Sequence, residues 1–243
     1  MALPSNVTPL HPKKKPDPLR QLGLMSLNGL FDEMDGVAVL RQAVELLPND
    51  LAIVSSFGAD SVVLLHMVAQ VDKSLPVYFL ETGKHFPETL AYVETLKDRL
   101  GLSNLRVLHP DARDLARFDP DGTLWETDPD SCCHIRKTEP LDGAMAGFGG
   151  WVTGRKRYQT SERGVLPHFE LTSDDRIKVN PLAHWGPEDL QDYMINNRLP
   201  RHPLVAKGYP SIGCAPCTSP VKPGEDPRAG RWRGSEKTEC GIH

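Results

Sequence analysis

Apolar positions change period along the chain. Val37, Leu40, Val44 and Leu47 recur at helical spacing, Pro48-Asn49-Asp50 ends that run, and Leu51-Ala52-Ile53-Val54 is apolar throughout. The pattern predicts helix, turn and buried strand. After a short polar loop, Ser61 to Val71 reads as an apolar helix, Val77 to Leu80 as a strand, Pro87 to Leu100 as a helix and Leu105 to Leu108 as a strand. Trp151 to Thr153 and Ile177 to Val179 fit two more strands, and Pro187 to Asn196 a late helix with proline in its first turn. Strands alternating with helices imply an α/β fold with a doubly wound, mostly parallel sheet covered on both faces. Residues 1–28, rich in Pro, Lys and Asn, show no sustained periodicity and are expected to form a mobile arm. Residues 29–217 would form the body, and residues 218–243, punctuated by Pro and Gly with almost no aliphatic side chains, a flexible tail.

The chain has 243 residues, 39% hydrophobic and 25% charged, which suits one large domain with a real core. Its 28 basic residues stand against 32 acidic ones, a formal net charge of −4, without the basic excess of a nucleic-acid binder. No apolar run approaches the roughly 18 residues of a membrane span. Lys13, Lys14 and Lys15 sit among prolines with no apolar stretch beside them, so neither a signal peptide nor a membrane anchor is expected there. The expected compartment is the cytoplasm, where thiols stay reduced and grouped cysteines point to metal or redox chemistry.

Three features carry candidate chemistry. Ser55-Ser56-Phe57-Gly58-Ala59-Asp60-Ser61 lies between a strand and a helix, where open α/β sheets bind ligands. Small residues let backbone N–H groups approach an anion, and the helix N-terminus adds favourable partial charge, so a phosphate is the expected guest. The same residues also suit a plain turn capped by Ser and Asp. Cys132 and Cys133, with Cys214 and Cys217, make four thiolates, the number for tetrahedral zinc or an iron–sulfur cluster. Buried structural thiols or a redox-active C-x-x-C remain as alternatives. Adjacent side chains diverge by about 100° on a helix and about 180° on a strand, which suits separate irons better than one small ion. Cys240 is the fifth cysteine: alone it reads as a free thiol, and as a nucleophile it needs electropositive surroundings. Glu239 works against its ionisation and Lys237 for it.

The loop at Ser56, Phe57, Gly58, Ala59, Asp60 and Ser61 resembles the PP-loop of the adenine-nucleotide α-hydrolase-like families, with Phe57 in place of the first glycine of Ser-Gly-Gly-x-Asp-Ser. A bulky side chain there is expected to hinder a triphosphate and to favour a shorter phosphate or a phosphosulfate. Glu81 to Thr89 resembles the second signature of the sulfonucleotide reductases, which places Thr82 and Gly83 at the nucleotide. Cys132-Cys133 with Ser211-Ile212-Gly213-Cys214-Ala215-Pro216-Cys217-Thr218 resembles the 4Fe-4S signature of assimilatory adenylylsulfate (APS) reductases, and Glu239-Cys240-Gly241-Ile242-His243 resembles the Glu-Cys-Gly-Leu-His ending of APS/PAPS reductases. The resemblance spans roughly residues 50–243.

It implies Cys240 as the catalytic nucleophile, one 4Fe-4S cluster on Cys132, Cys133, Cys214 and Cys217, and Lys137, Arg163, Arg228 and Arg231 around the phosphosulfate. It further implies the substrate APS rather than its 3'-phosphorylated form PAPS, whose specific reductases generally lack these cysteines. A thioredoxin or glutaredoxin-like reductant would release sulfite from an S-sulfocysteine, with no nucleic-acid or membrane partner. The Gly-x-Arg-Arg-x-Gln-Ser pattern of the family aligns with Gly154, Lys156, Arg157 and Gln159, with Lys156 and Thr160 departing from it. Homo-oligomers occur in the family, and the sequence displays no interface. PAPS reduction, tRNA thiolation by a PP-loop iron–sulfur enzyme and a non-enzymatic iron–sulfur scaffold are the competing readings.

Overall fold

The strands Leu51–Val54 (β1) and Val77–Leu80 (β2) are buried along their whole length, as strands covered on both faces must be. In the computed structural model, which describes residues 18–31, 35–160, 163–235, 237 and 239, they are neighbouring interior strands of a six-stranded sheet. Leu51 and Ile53 face one core with Val77 and Phe79, while Ala52 and Val54 face another with Tyr78 and Leu80. The other strands are Leu105–Leu108 (β3), Gly150–Val152 (β4), Phe169–Leu171 (β5) and Ile177–Val179 (β6), in the order β3-β2-β1-β4-β6-β5. All pairs are parallel except β5 with β6.

Helices Gly36–Leu46 (α2), Ser61–Val71 (α3), Pro87–Leu100 (α4) and, later, Pro187–Asn196 (α9) contribute to the larger core. Asp35 caps α2 by accepting from the Val37 and Ala38 N–H groups, and Gly101, at φ +66°, ends α4. The short helices Ala112–Phe118 (α5), Leu124–Thr127 (α6), Pro129–Cys133 (α7) and Glu139–Met145 (α8) lie between β3 and β4, and Leu141 and Met145 of α8 enter the smaller core. No described helix is long and apolar enough to cross a membrane.

Two expected boundaries shift. The arm expected over residues 1–28 contains a helix, Pro18–Phe31 (α1), while residues 1–17 lie outside the described residues. Leu24 and Leu27 pack on the core, and Asn28 hydrogen-bonds both backbone groups of Phe169, from Nδ2 to O at 2.7 Å and from N to Oδ1 at 2.8 Å. The outward side carries Leu19, Leu22, Met25 and Leu30, so no polar face marks the helical period in the sequence. The tail expected to be loose from residue 218 is docked through its first half. Ser219 N–H donates to Gly230 O, Trp232 N–H donates to Cys217 O, and Trp232 is buried beside Cys133.

Candidate functional site

The strand order reverses between β1 and β4, and there the ends of both strands open onto a cleft. Its floor is the loop between β1 and α3. Ser56, Gly58, Ala59, Asp60 and Ser61 line it as the sequence implies. Gly58 is close to the opposite wall, because a Cβ there would lie 3.3 Å from Ile212 O. The Phe57 side chain faces away: it is fully buried, packed edge-on to Phe79 at 5.3 Å, and does not line the cleft. The residue reaches that position through a left-handed φ of +50°, with its N–H on Ser55 Oγ. The turn thus sends the bulky ring into the core, and the expected obstruction of a triphosphate by that ring does not arise.

Cations crowd the other walls. Lys137, Arg163, Arg228 and Arg231 all line the cleft, joined by Arg155 and Lys156 from the segment after β4. Lys156 is buried with its Nζ 3.3 Å from Asp60 Oδ2; burial pushes its pKa down and Asp60 opposes the shift. Arg163 is also buried, donating from Nη1 to Gln159 Oε1 and from Nη2 to Glu239 Oε1, both at 2.5 Å. Arg228 Nη2 lies 3.7 Å from the same Glu239 oxygen. Arg157 turns away, with Nε on Leu166 O at 2.8 Å. His85 and Tyr158, which the motifs do not single out, also line the cleft. Burial lowers the His85 pKa to about 4.

The four cysteines come together. Cys132, Cys133, Cys214 and Cys217 line one small pocket with Trp125, Pro129, Pro216 and Trp232. Cys132 and Cys133 end α7, and the chain then makes one wide turn, His134–Thr138, with the Glu139 N–H on His134 O, before α8. Pro140 explains that turn, since it has no N–H for the carbonyl four residues back and its ring would clash there. The turn buries Arg136 and Lys137. Arg136 donates to Asp119 Oδ2 at 2.5 Å and to Thr82 O at 2.6 Å. Burial would raise the Asp119 pKa, but the hydrogen bonds from Arg136 and the Leu124 N–H outweigh it and hold the carboxyl below its ordinary value.

Thr82 and Gly83 stand beside this second pocket, while the neighbouring Leu80 and His85 line the cleft. Thr82 is fully buried with Oγ1 3.3 Å from Cys214 Sγ, and Gly83, at φ +70°, donates its N–H to Glu81 Oε1.

Among the described residues, no three His, Cys, Asp or Glu side chains converge closely enough to hold a single metal ion. The thiols nevertheless influence one another. Burial, then the neighbouring Cys133, pushes Cys132 up to about 12, while burial, Cys214 and Cys133 raise Cys217 against the pull of Lys137 and Arg231. Two donors beside this pocket, Arg136 Nε and Trp232 Nε1, are buried with no hydrogen-bond partner among the described residues. Four thiols around a largely apolar space, with N–H donors to spare, fit a sulfur-rich anionic group wider than one ion. Lys137 and Arg231 stand in the walls of both pockets.

Cys240 lies outside the described residues. Lys237 is held on both sides, by an ion pair with Asp130 and by the Trp232 ring 5.9 Å from its Nζ.

Residues 50–220 match the family described as the phosphoadenosine phosphosulfate reductase domain. An adenosine 5'-phosphosulfate reductase of Mesorhizobium japonicum is 51% identical over 239 residues, covering 94% of each chain. A phosphoadenosine 5'-phosphosulfate reductase of Gloeobacter violaceus is 40% identical, over 92% of this chain and 94% of its own. The crystal structure of a PAPS reductase from Candida auris, in a phosphate complex, superposes with a TM-score of 0.72 at 30% identity, covering 85% of this chain and all of that one.

Proposed function

The chain belongs to the phosphoadenosine phosphosulfate reductase domain family, and we propose that it reduces adenosine 5'-phosphosulfate to sulfite and AMP in sulfate assimilation. The observation that carries this reading is the shared wall: Lys137 and Arg231 stand between a cation-lined cleft at the sheet's switch point and a pocket of four cysteines. The cleft takes the nucleotide, with the loop from Ser56 to Ser61 on its phosphate and Lys137, Arg163, Arg228 and Arg231 on the sulfate.

The Cys240 thiolate attacks the sulfur of APS. A sulfur–sulfur bond forms, the sulfur–oxygen bond to AMP breaks, and AMP leaves with that electron pair. One thiolate of a dithiol, thioredoxin or a similar protein, then attacks the Cys240 sulfur, forming a mixed disulfide and releasing sulfite with the bonding pair; its second thiolate closes the dithiol's disulfide and releases Cys240 as thiolate. The cations that bind the sulfate also lower the cost of bringing a thiolate to it.

Cys132, Cys133, Cys214 and Cys217 would hold a 4Fe-4S cluster, which when bound would add a fixed charge beside Lys137 and Arg231. The two electrons come from the dithiol, and the chain's own part is to keep Lys137 at the boundary through the wide turn after Cys133. Reduced cytoplasmic conditions suit these thiols.

The test is dithiol-dependent sulfite release by anaerobically purified protein, given APS and PAPS in parallel. Preference for APS is the expected result, and equal or better use of PAPS refutes the substrate assignment. Cys240→Ser is expected to abolish sulfite release and retain bound iron; retained turnover by that variant refutes the nucleophile.

A further inference from the structure

Glu239 occupies the two arginines that a sulfate would need. Its Oε1 takes the hydrogen bond from Arg163 Nη2 at 2.5 Å and lies 3.7 Å from Arg228 Nη2. Arg163 has little else to offer an anion, because its side chain is 8% exposed and Nη1 is committed to Gln159. A buried guanidinium needs a counter-charge, and here the chain's own tail supplies it. Both arginines also line the cleft.

We infer that Glu239 is a substrate-mimicking carboxylate that holds the Arg163–Arg228 pair until the sulfate end of the nucleotide displaces it, and so sets the affinity for sulfated over unsulfated nucleotide. The inference rests on the function proposed above. Carboxylate and sulfate oxygens accept the same charge-assisted hydrogen bonds from a guanidinium, so they compete for one donor edge. Two anions at that edge would also repel each other.

The cost of moving Glu239 therefore falls on ligands that reach the arginines. A nucleotide without the sulfate leaves the carboxylate in place. Displacement need not free the whole tail, because Lys237 is fastened separately to Asp130 and Trp232. By linkage, whatever factor Glu239 imposes on sulfate binding, bound sulfate imposes on the Glu239 contact.

The experiment titrates APS and AMP calorimetrically into Cys240→Ser protein, in which turnover is blocked, and into the same protein carrying Glu239→Gln. Removal of a competing charge-assisted hydrogen bond is expected to tighten APS about tenfold while AMP changes by less than about twofold. Glu239→Asp, which keeps the charge, is expected to stay closer to the parent. Unchanged or weaker APS binding in Glu239→Gln overturns the inference, and so does equal tightening of APS and AMP, which would report a general charge effect. If Cys240→Ser protein binds neither nucleotide, the proposed function itself fails and the inference with it.

Discussion

Gly213 lies against the guanidinium of Arg231, so closely that a Cβ built on it would be 2.6 Å from Arg231 Cζ. Arg231 passes over this glycine, packs 4.4 Å above the Trp232 ring and reaches the wall between the two pockets. The glycine is therefore required for room, and its φ is not in the left-handed region. Gly213→Ala is expected to fold normally and to push the guanidinium aside. Misplacing an oriented charge by about an ångström can cost up to about a hundredfold, so kcat/KM for APS should fall about ten- to a hundredfold with an unchanged melting temperature. Steady-state sulfite release and a thermal melt check this, and wild-type kinetics would show that Arg231 needs no such passage.

Phe57 holds the loop down from below. Its ring is fully buried against Phe79, so Phe57→Ala should cost about 3–5 kcal/mol through the cavity it leaves. Phe57→Gly relieves the left-handed backbone at φ +50° but leaves the same cavity, and should also be destabilised. Neither is expected to gain affinity for ATP, since the ring does not occupy the cleft. Denaturant melts and ATP titration test both halves; new ATP binding in Phe57→Gly would restore the ring as a steric filter.

Phe57 also shows where reading the chain by pattern stops. Strand and helix patterns placed β1, α3, β2, α4, β3 and α9 with their observed bounds, because each has an apolar run or an apolar period bounded by a turn, a cap or a proline. The α1 helix was hidden because Leu19, Leu22, Met25 and Leu30 give its outer side no polar contrast. At the site, spacing marked the four cysteines, while Arg163, Arg228 and Arg231, far apart in sequence, were marked only by the family resemblance. Spacing carries no φ value, so it could not say that Phe57 turns inward. Nor could it separate Thr82, aimed at Cys214, from His85 three residues later, which faces the cleft.

His202 gives the fold a pH dependence whose sign is fixed by its hydrogen bonds. Its Nδ1 accepts from the Leu204 N–H at 3.2 Å, so the ring proton sits on Nε2 and is donated to Thr89 Oγ1 at 3.1 Å. The ring is 1% exposed and stands edge-on to Tyr92 at 4.9 Å, tying the turn Pro203–Lys207 to α4. Burial lowers its pKa from 6.5 to about 4, with Glu88 pulling weakly the other way. The unfolded chain therefore takes up a proton near pH 6.5 and the folded one does not until about pH 4. Stability is complete above that window and falls as the pH drops through it, by at most about 1.4 kcal/mol per unit from this group. His85, also lowered to about 4, acts with the same sign, so the measurement is a comparison of variants. His202→Asn keeps an acceptor for the Leu204 N–H and removes the titrating ring. It should be less stable than the parent at pH 8 and lose less stability between pH 6.5 and pH 4. Parallel pH profiles for the two proteins would mean that His202 takes up its proton in the folded state and that its tie to Thr89 is not what resists acid.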